Sequence, residues 1–184
     1  MARKQSITKE VIQEAALSLA RQEGLEAVTA RRVAAQANCS TQPIFRAYEN
    51  MADLQDDVIR LAGEFFADYY EKAPKDSAIP FVDLGITYIR FATEHENLFR
   101  ILFVSHYKKH ASTYEFINGG EKMYVLKELK KVEGVPAQKA GMIFSSIWTF
   151  VNGMACMSLN GDLDMDETEI REELGRIYEA LRKA

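Results

Sequence analysis

The twenty residues from Thr29 to Tyr48 constrain this chain more tightly than any other stretch, because they read as two short helices around a tight turn. Thr29 stands where an N-cap hydroxyl accepts a backbone N–H, and Val33, Ala34 and Ala37 follow at spacings that share one helical face. Small side chains there let a second helix cross closely. Asn38 suits a left-handed turn position, usually held by Gly and open to Asn because its short amide bonds locally. Ser40 to Tyr48 then begin and carry the second helix. In a helix-turn-helix, that second helix lies in the DNA major groove while the first spans the backbone. The same local pattern also suits a plain helical hairpin.

The rest of the chain reads as helical. A first helix is expected from Thr8 to Glu23, with Val11, Ala15 and Leu19 as its stripe and Gly24 closing it. A long helix should run from Asn50 through Leu54, Val58, Leu61, Phe65 and Tyr69 to about Lys72. After a loop at Pro74–Ser77, Ile79 to Glu94 makes a helix with Leu84, Tyr88 and Phe91 inward, followed by a short aromatic segment from Asn97 to Lys109. Thr113 to Lys131 reads as another helix, and Gly134-Val-Pro136 as a break. From Ala140 to Gly161 there is no charged residue, a length that could span a bilayer. Ser145, Ser146, Thr149, Asn152 and Ser158 make that helix better suited to a protein interior. Its Ile143, Ile147, Val151 and Met154 are expected to meet a partner subunit, with Phe144 and Trp148 turned to the core. In the last helix, Asp166 to Arg182, the rhythm Ile170, Leu174, Ile177, Leu181 is that of a helix-helix seam.

Charge is unevenly placed. The chain has 184 residues, 47% hydrophobic, and a formal net charge of −4, enough to bury a sizeable core in one or two domains. Residues 1–48 hold seven Lys/Arg against four Glu, whereas the remainder holds sixteen basic against twenty-three acidic residues. A basic head on an acidic body fits DNA binding by one end, although solvated helix faces would produce the same asymmetry. The N-terminus lacks the apolar region of a secretory signal, so a cytoplasmic location is expected. Cys39 and Cys156 read as two free thiols.

The first 54 residues resemble the N-terminal domain of the TetR/AcrR family of bacterial transcriptional repressors. The resemblance runs in order through Ile12-x-x-Ala15-Ala16-x-x-Leu19, Gly24-Leu25, Val28-Thr29, Val33-Ala34, Ala37-Asn38-Cys39-Ser40, Ile44-Phe45-Arg46-Ala47-Tyr48 and Asn50-x-x-Asp53-Leu54. It implies an all-α chain of about nine helices: a three-helix helix-turn-helix DNA-binding domain over residues 1–49, then a helical effector-binding and dimerisation domain over residues 50–184. It further implies a homodimer built from the last two helices, a double-stranded DNA operator and a small-molecule effector, with no membrane partner and no cofactor. Trp148-x-x-x-Asn152-Gly153 is similar to a Trp-x-x-x-His-Gly signature of one branch, with Asn in place of His.

The second helix departs from the family pattern of Leu-Tyr-x-His-Phe followed shortly by Lys. A Tyr hydroxyl is lost at Phe45, an imidazole at Ala47 and a Lys at Met51. Arg3, Lys4, Arg31, Arg32 and Arg46 could replace those phosphate contacts. Pro43 disfavours helical geometry at the preceding residue, so Gln42 is expected to be the N-cap with Pro43 at the first helical position. Thr41 and Gln42 would then project toward base edges, where Gln pairs bidentately with adenine. Thr29, Ser40 and Tyr48 complete the candidate DNA-binding set.

Other constellations carry less. His106 and His110 share a helical spacing but have no carboxylate or thiol beside them, and no metal site is assigned. Asp162-x-Asp164-x-Asp166 superficially resembles a calcium loop, yet Glu167 stands where Gly is needed. Asp166 with Glu169 reads instead as a capping box. There is no phosphate-cradling glycine loop and no nucleophile-base motif, so no enzymatic activity is expected. Tyr88, Phe91, Phe99, Phe103, Tyr107, Phe116, Tyr124, Phe144 and Trp148, with Asn152, would line an apolar effector cavity or simply fill a core. The resemblance implies a ligand-responsive repressor. A helical small-molecule binding protein without operator binding is the alternative, and no basic amphipathic stripe supports a membrane-surface protein.

Overall fold

The computed structural model describes residues 7–105 and 137–183, and among these every regular element is helical. Local chemistry sets most boundaries. Helix α1, Lys9–Glu23, starts where the Thr8 hydroxyl accepts the Val11 N–H at 3.5 Å, and stops at Gly24, whose φ of +87° suits glycine. A 3-10 turn, Leu25–Ala27, leads to α2, Ala30–Gln36, capped as expected by Thr29. Asn38 takes φ +51°, and the bonds Cys39 N–H to Ala34 O and Asn38 N–H to Ala35 O close a Schellman motif around it. Helix α3 is Gln42–Ala47. It begins one residue earlier than the proline suggests: Gln42 is its first residue, Thr41 precedes it without a side-chain cap, and Pro43 sits in the first turn, where its missing N–H costs nothing. Helix α4, Met51–Lys72, follows Asn50, whose Oδ1 accepts the Asp53 N–H at 3.1 Å.

Helix α5 is Pro80–Glu94, and α6, Glu96–Phe99, runs into a π-helical turn at Arg100–Val104. Helix α7, Ala137–Asn160, ends in a second Schellman motif around Gly161, φ +74°. Helix α8, Glu167–Lys183, opens on the expected capping box, in which the Glu169 N–H donates to Asp166 Oδ1 at 2.9 Å and the Asp166 N–H donates to Glu169 Oε2 at 2.8 Å. The helix expected over residues 113–131 lies outside the described residues.

Contacts divide the chain into two units, the first containing described residues 7–65 and 95–105, the second 66–94 and 137–183. In the first, α1 packs against α2, α3 and α6. Its buried stripe is Ile12, Ala15, Ala16, Leu19 and Ala20, a register that leaves Val11 exposed rather than inward as the sequence suggested. In the second, α5, α7 and α8 pack on one another. Every residue of α5 from Phe81 to Ile89 is buried. A Cβ at Gly85 would lie 2.7 Å from Leu174 Cδ1 and 3.1 Å from Val151 Cγ2, so glycine is what lets the three helices meet there. The Asp83 carboxylate, 3% exposed, accepts the Ser77 N–H at 3.1 Å and Arg171 Nη1 at 3.3 Å, and Arg171 also donates to Glu167, which binds Arg90. A buried carboxylate is tolerated because its oxygens are occupied.

Candidate nucleic-acid interface

Six residues are too few to hold a helix in water, so α3 takes its shape from what it is packed on. Ile44 is fully buried beneath it. Thr41, Gln42, Phe45 and Arg46 are exposed, with Phe45 at 55%. Gln42, Phe45 and Arg46 are spaced i, i+3 and i+4, so an amide, a ring and a guanidinium share one outward face. Ser40 is exposed just before the helix, and Pro43 is half-buried. On α2, Arg31 and Arg32 are exposed; Arg32 pairs with Glu23 at the end of α1, and its hydrogen bond holds the Glu23 carboxyl below the ordinary range. Arg31 and Arg46 make no ion pair among the described residues. The Thr29 hydroxyl is engaged by the Arg32 N–H at 3.4 Å. Arg3 and Lys4 lie outside the described residues.

Tyr48 departs from expectation. Its side chain is turned inward, 6% exposed, and its hydroxyl donates to Asp57 Oδ2 at 2.9 Å, so it anchors α3 rather than facing outward. Burial and then this bond push the phenol's pKa up. Asp57, on α4, also accepts from Gln13 Nε2 at 2.8 Å and pairs with Lys9 at 3.2 Å and Arg60 at 3.3 Å. Burial alone would raise its pKa; the donors Gln13, Tyr48 and Lys9 outweigh that and hold it at about 2. The Lys9 ammonium lies 4.7 Å from the centre of the Tyr48 ring. One carboxylate therefore ties α1, the end of α3 and α4 together. Sequence reading missed it because Gln13 and Asp57 are 44 residues apart.

The second unit gathers part of the aromatic set. Tyr88 and Trp148 meet edge to face with centroids 4.5 Å apart, Trp148 lies 5.8 Å from Phe144, and the Tyr88 hydroxyl donates to Asn152 Oδ1 at 2.9 Å. Burial pushes the Tyr88 phenol's pKa up. Phe91 is packed on Phe66 at 4.9 Å. Phe99 and Phe103 meet at a tilt with centroids 5.3 Å apart in the first unit, and Tyr107, Phe116 and Tyr124 lie outside the described residues. A cavity of about 10 Å³ lies among Phe81, Leu84, Gly85, Phe144, Ile147, Trp148 and Val151, roughly the room of one water.

On α7, Phe144 is buried and Trp148 packs against Tyr88 as expected, but the side expected to meet a partner is also turned inward. Ile143, Ile147, Val151 and Met154 are buried in the chain's own core, because α5 and α8 cover that side. Among the described residues, Met142, Phe150 and Met157 are the large apolar side chains that α7 exposes, at 67%, 39% and 45%. On α8, Ile170 and Leu174 are buried, while Ile177 and Leu181 are half-buried. α7 is long and apolar enough to cross a bilayer, but its inward side is this protein interior.

Residues 12–58 match the family model described as "Bacterial regulatory proteins, tetR family". The chain carries a TetR-family N-terminal domain. The whole chain is also similar in fold to solved structures. A tetR-family transcriptional regulator from Streptomyces coelicolor superposes with a TM-score of 0.68 at 19% identity, over 94% of this chain and 78% of that one. A TetR-like transcriptional regulator from Rhodococcus sp. RHA1 gives 0.61 at 14% identity, over 92% of both chains. The multidrug binding protein EbrR complexed with proflavin gives 0.57 at 18% identity, over 92% of this chain and 98% of that one. No curated protein matches the chain. The matched TetR-family segment begins at Ile12, within α1, and ends at Val58, so it contains α2, α3 and Asp57 with its partners Gln13 and Tyr48.

Proposed function

We propose that the chain is a homodimeric DNA-binding transcriptional regulator, a repressor that leaves a palindromic operator when a small apolar or aromatic ligand binds. The observation that carries this reading is the outward face of α3, where Gln42, Phe45 and Arg46 stand clear of the fold within a TetR-family domain. Residues 1–49 would read DNA, with Gln42 pairing with adenine, and residues 50–184 would bind the effector and the partner copy. EbrR complexed with proflavin supports a flat aromatic effector, and the Tyr88, Phe144, Trp148 and Asn152 cluster is the corresponding chemistry here. Its water-sized cavity would have to open to admit one. Release then follows if the ligand prefers a dimer whose recognition helices no longer match successive major grooves, about 34 to 36 Å apart. The exposed Met142, Phe150 and Met157 face of α7 is the surface we assign to the partner copy. Such a regulator works in the cytoplasm.

The test is selection of bound sequences from a random duplex pool by the purified protein at near-physiological salt, where nonspecific phosphate attraction is suppressed. One palindromic motif supports the reading. Recovery of no motif overturns it in favour of a helical small-molecule binding protein.

A further inference from the structure

We infer that Phe45 reads the 5-methyl group of a thymine in the major groove. This rests on the DNA-reading assignment above and names part of what that helix recognises. Phe45 is the most exposed aromatic side chain among the described residues, 55% exposed, while its helix neighbour Ile44 is fully buried. With more than half of its surface in water, the ring contributes little to the fold it stands on. It has no hydroxyl to donate to a phosphate and no polar edge for a base, so hydrogen bonds to the phosphates and hydrogen-bonded base readout are both closed to it. The apolar feature a base pair presents in the major groove is the thymine methyl, and phenylalanine is among the side chains that contact it.

The neighbours place that contact. Arg46, beside Phe45 on the same face, is exposed and makes no ion pair among the described residues, so it is available to a phosphate or a guanine edge. Gln42 stands one turn before Phe45, about 4.5 Å along the axis, against about 3.4 Å per base step. The methyl therefore belongs within a base pair or two of the adenine assigned to Gln42. Removing one methyl from such a contact costs about fourfold in affinity per half-site, and so roughly fifteenfold for a symmetric site with both half-sites altered.

The experiment replaces each thymine of the selected duplex in turn, in both half-sites, by deoxyuridine, which deletes the methyl alone. We expect one position where the wild-type protein loses roughly tenfold or more in affinity. Phe45→Ala should show no penalty there, with an unchanged melting temperature because the ring is outside the core. Phe45→Leu, which keeps apolar bulk, should show a reduced penalty and decides the matter if the alanine variant binds too weakly to measure. Tolerance of uracil at every position overturns the inference while leaving the DNA-reading assignment intact. So does a sensitive position whose penalty is the same in wild type and both variants. A selection that yields no motif overturns both.

Discussion

Replacing Asp57 by Asn keeps the side chain's size and removes its charge, and the effect follows from the anchor it forms. The carboxyl titrates at about 2 against an ordinary 3.8, a difference that at ~1.4 kcal/mol per pH unit contributes about 2 kcal/mol of stability. A fifth of the Asp57 side chain is exposed and its Lys9 and Arg60 partners are half exposed, so solvent screening holds the contribution to no more than that figure. Because the folded value is the lower one, the contribution is complete above the unfolded value and is lost as pH falls toward 2. At pH 5 and above, Asp57→Asn should be less stable by about 2 kcal/mol, a shift of about 1 M in the urea midpoint for a slope near 2 kcal/mol/M. By pH 3 the gap should have closed by about half. The assay is urea unfolding of both proteins followed by circular dichroism at pH 7, 5, 4 and 3, with amide exchange in α1 and α4 locating the loss. A gap below 0.5 kcal/mol at pH 7, or one that stays constant down to pH 3, refutes the reasoning.

Gly85→Ala should destabilise the α5, α7 and α8 packing by about 1–3 kcal/mol, because Leu174 and Val151 leave no room for the methyl; an unchanged thermal midpoint contradicts this. Asp83→Ala leaves the Ser77 N–H without its acceptor and Arg171 with Glu167 alone, and should cost about 2 kcal/mol, where Arg182→Ala, at an exposed pair with Glu179, costs under about 1. Asp166→Ala removes the α8 cap and should cost about 1 kcal/mol in thermal unfolding. Arg46→Ala, assayed on the selected operator, should shallow the slope of log affinity against log salt by about 0.9 for each phosphate the guanidinium neutralises; an unchanged slope would assign the guanidinium to a base edge.

What the sequence made legible was local. Thr29, Gly24, Asn38 and the Asp166–Glu169 box act within one turn of chain, so residue type and spacing were sufficient to place them. The Asp57 anchor was not legible, since its partners come from distant positions and no short spacing marks them. Tyr48 belonged to the DNA-facing motif by position, but its ring is apolar enough to bury and its hydroxyl finds Asp57 inside. On α7 the failure has a different cause. The outward side of that helix, uncharged from Ala140 onward, mixes Ser145, Ser146 and Thr149 with Met142, Phe150 and Met157, too weak a contrast to orient it, and the neighbouring α5 and α8 decide which residues turn inward.

Because α3 is held by Ile44 beneath and Tyr48 at its end, its outward residues bear almost none of the cost of folding. Gln42, Phe45 and Arg46 are then free to drift. Duplicated descendants of this gene could acquire new target sites by changing those positions one at a time, each intermediate folding as well as its parent.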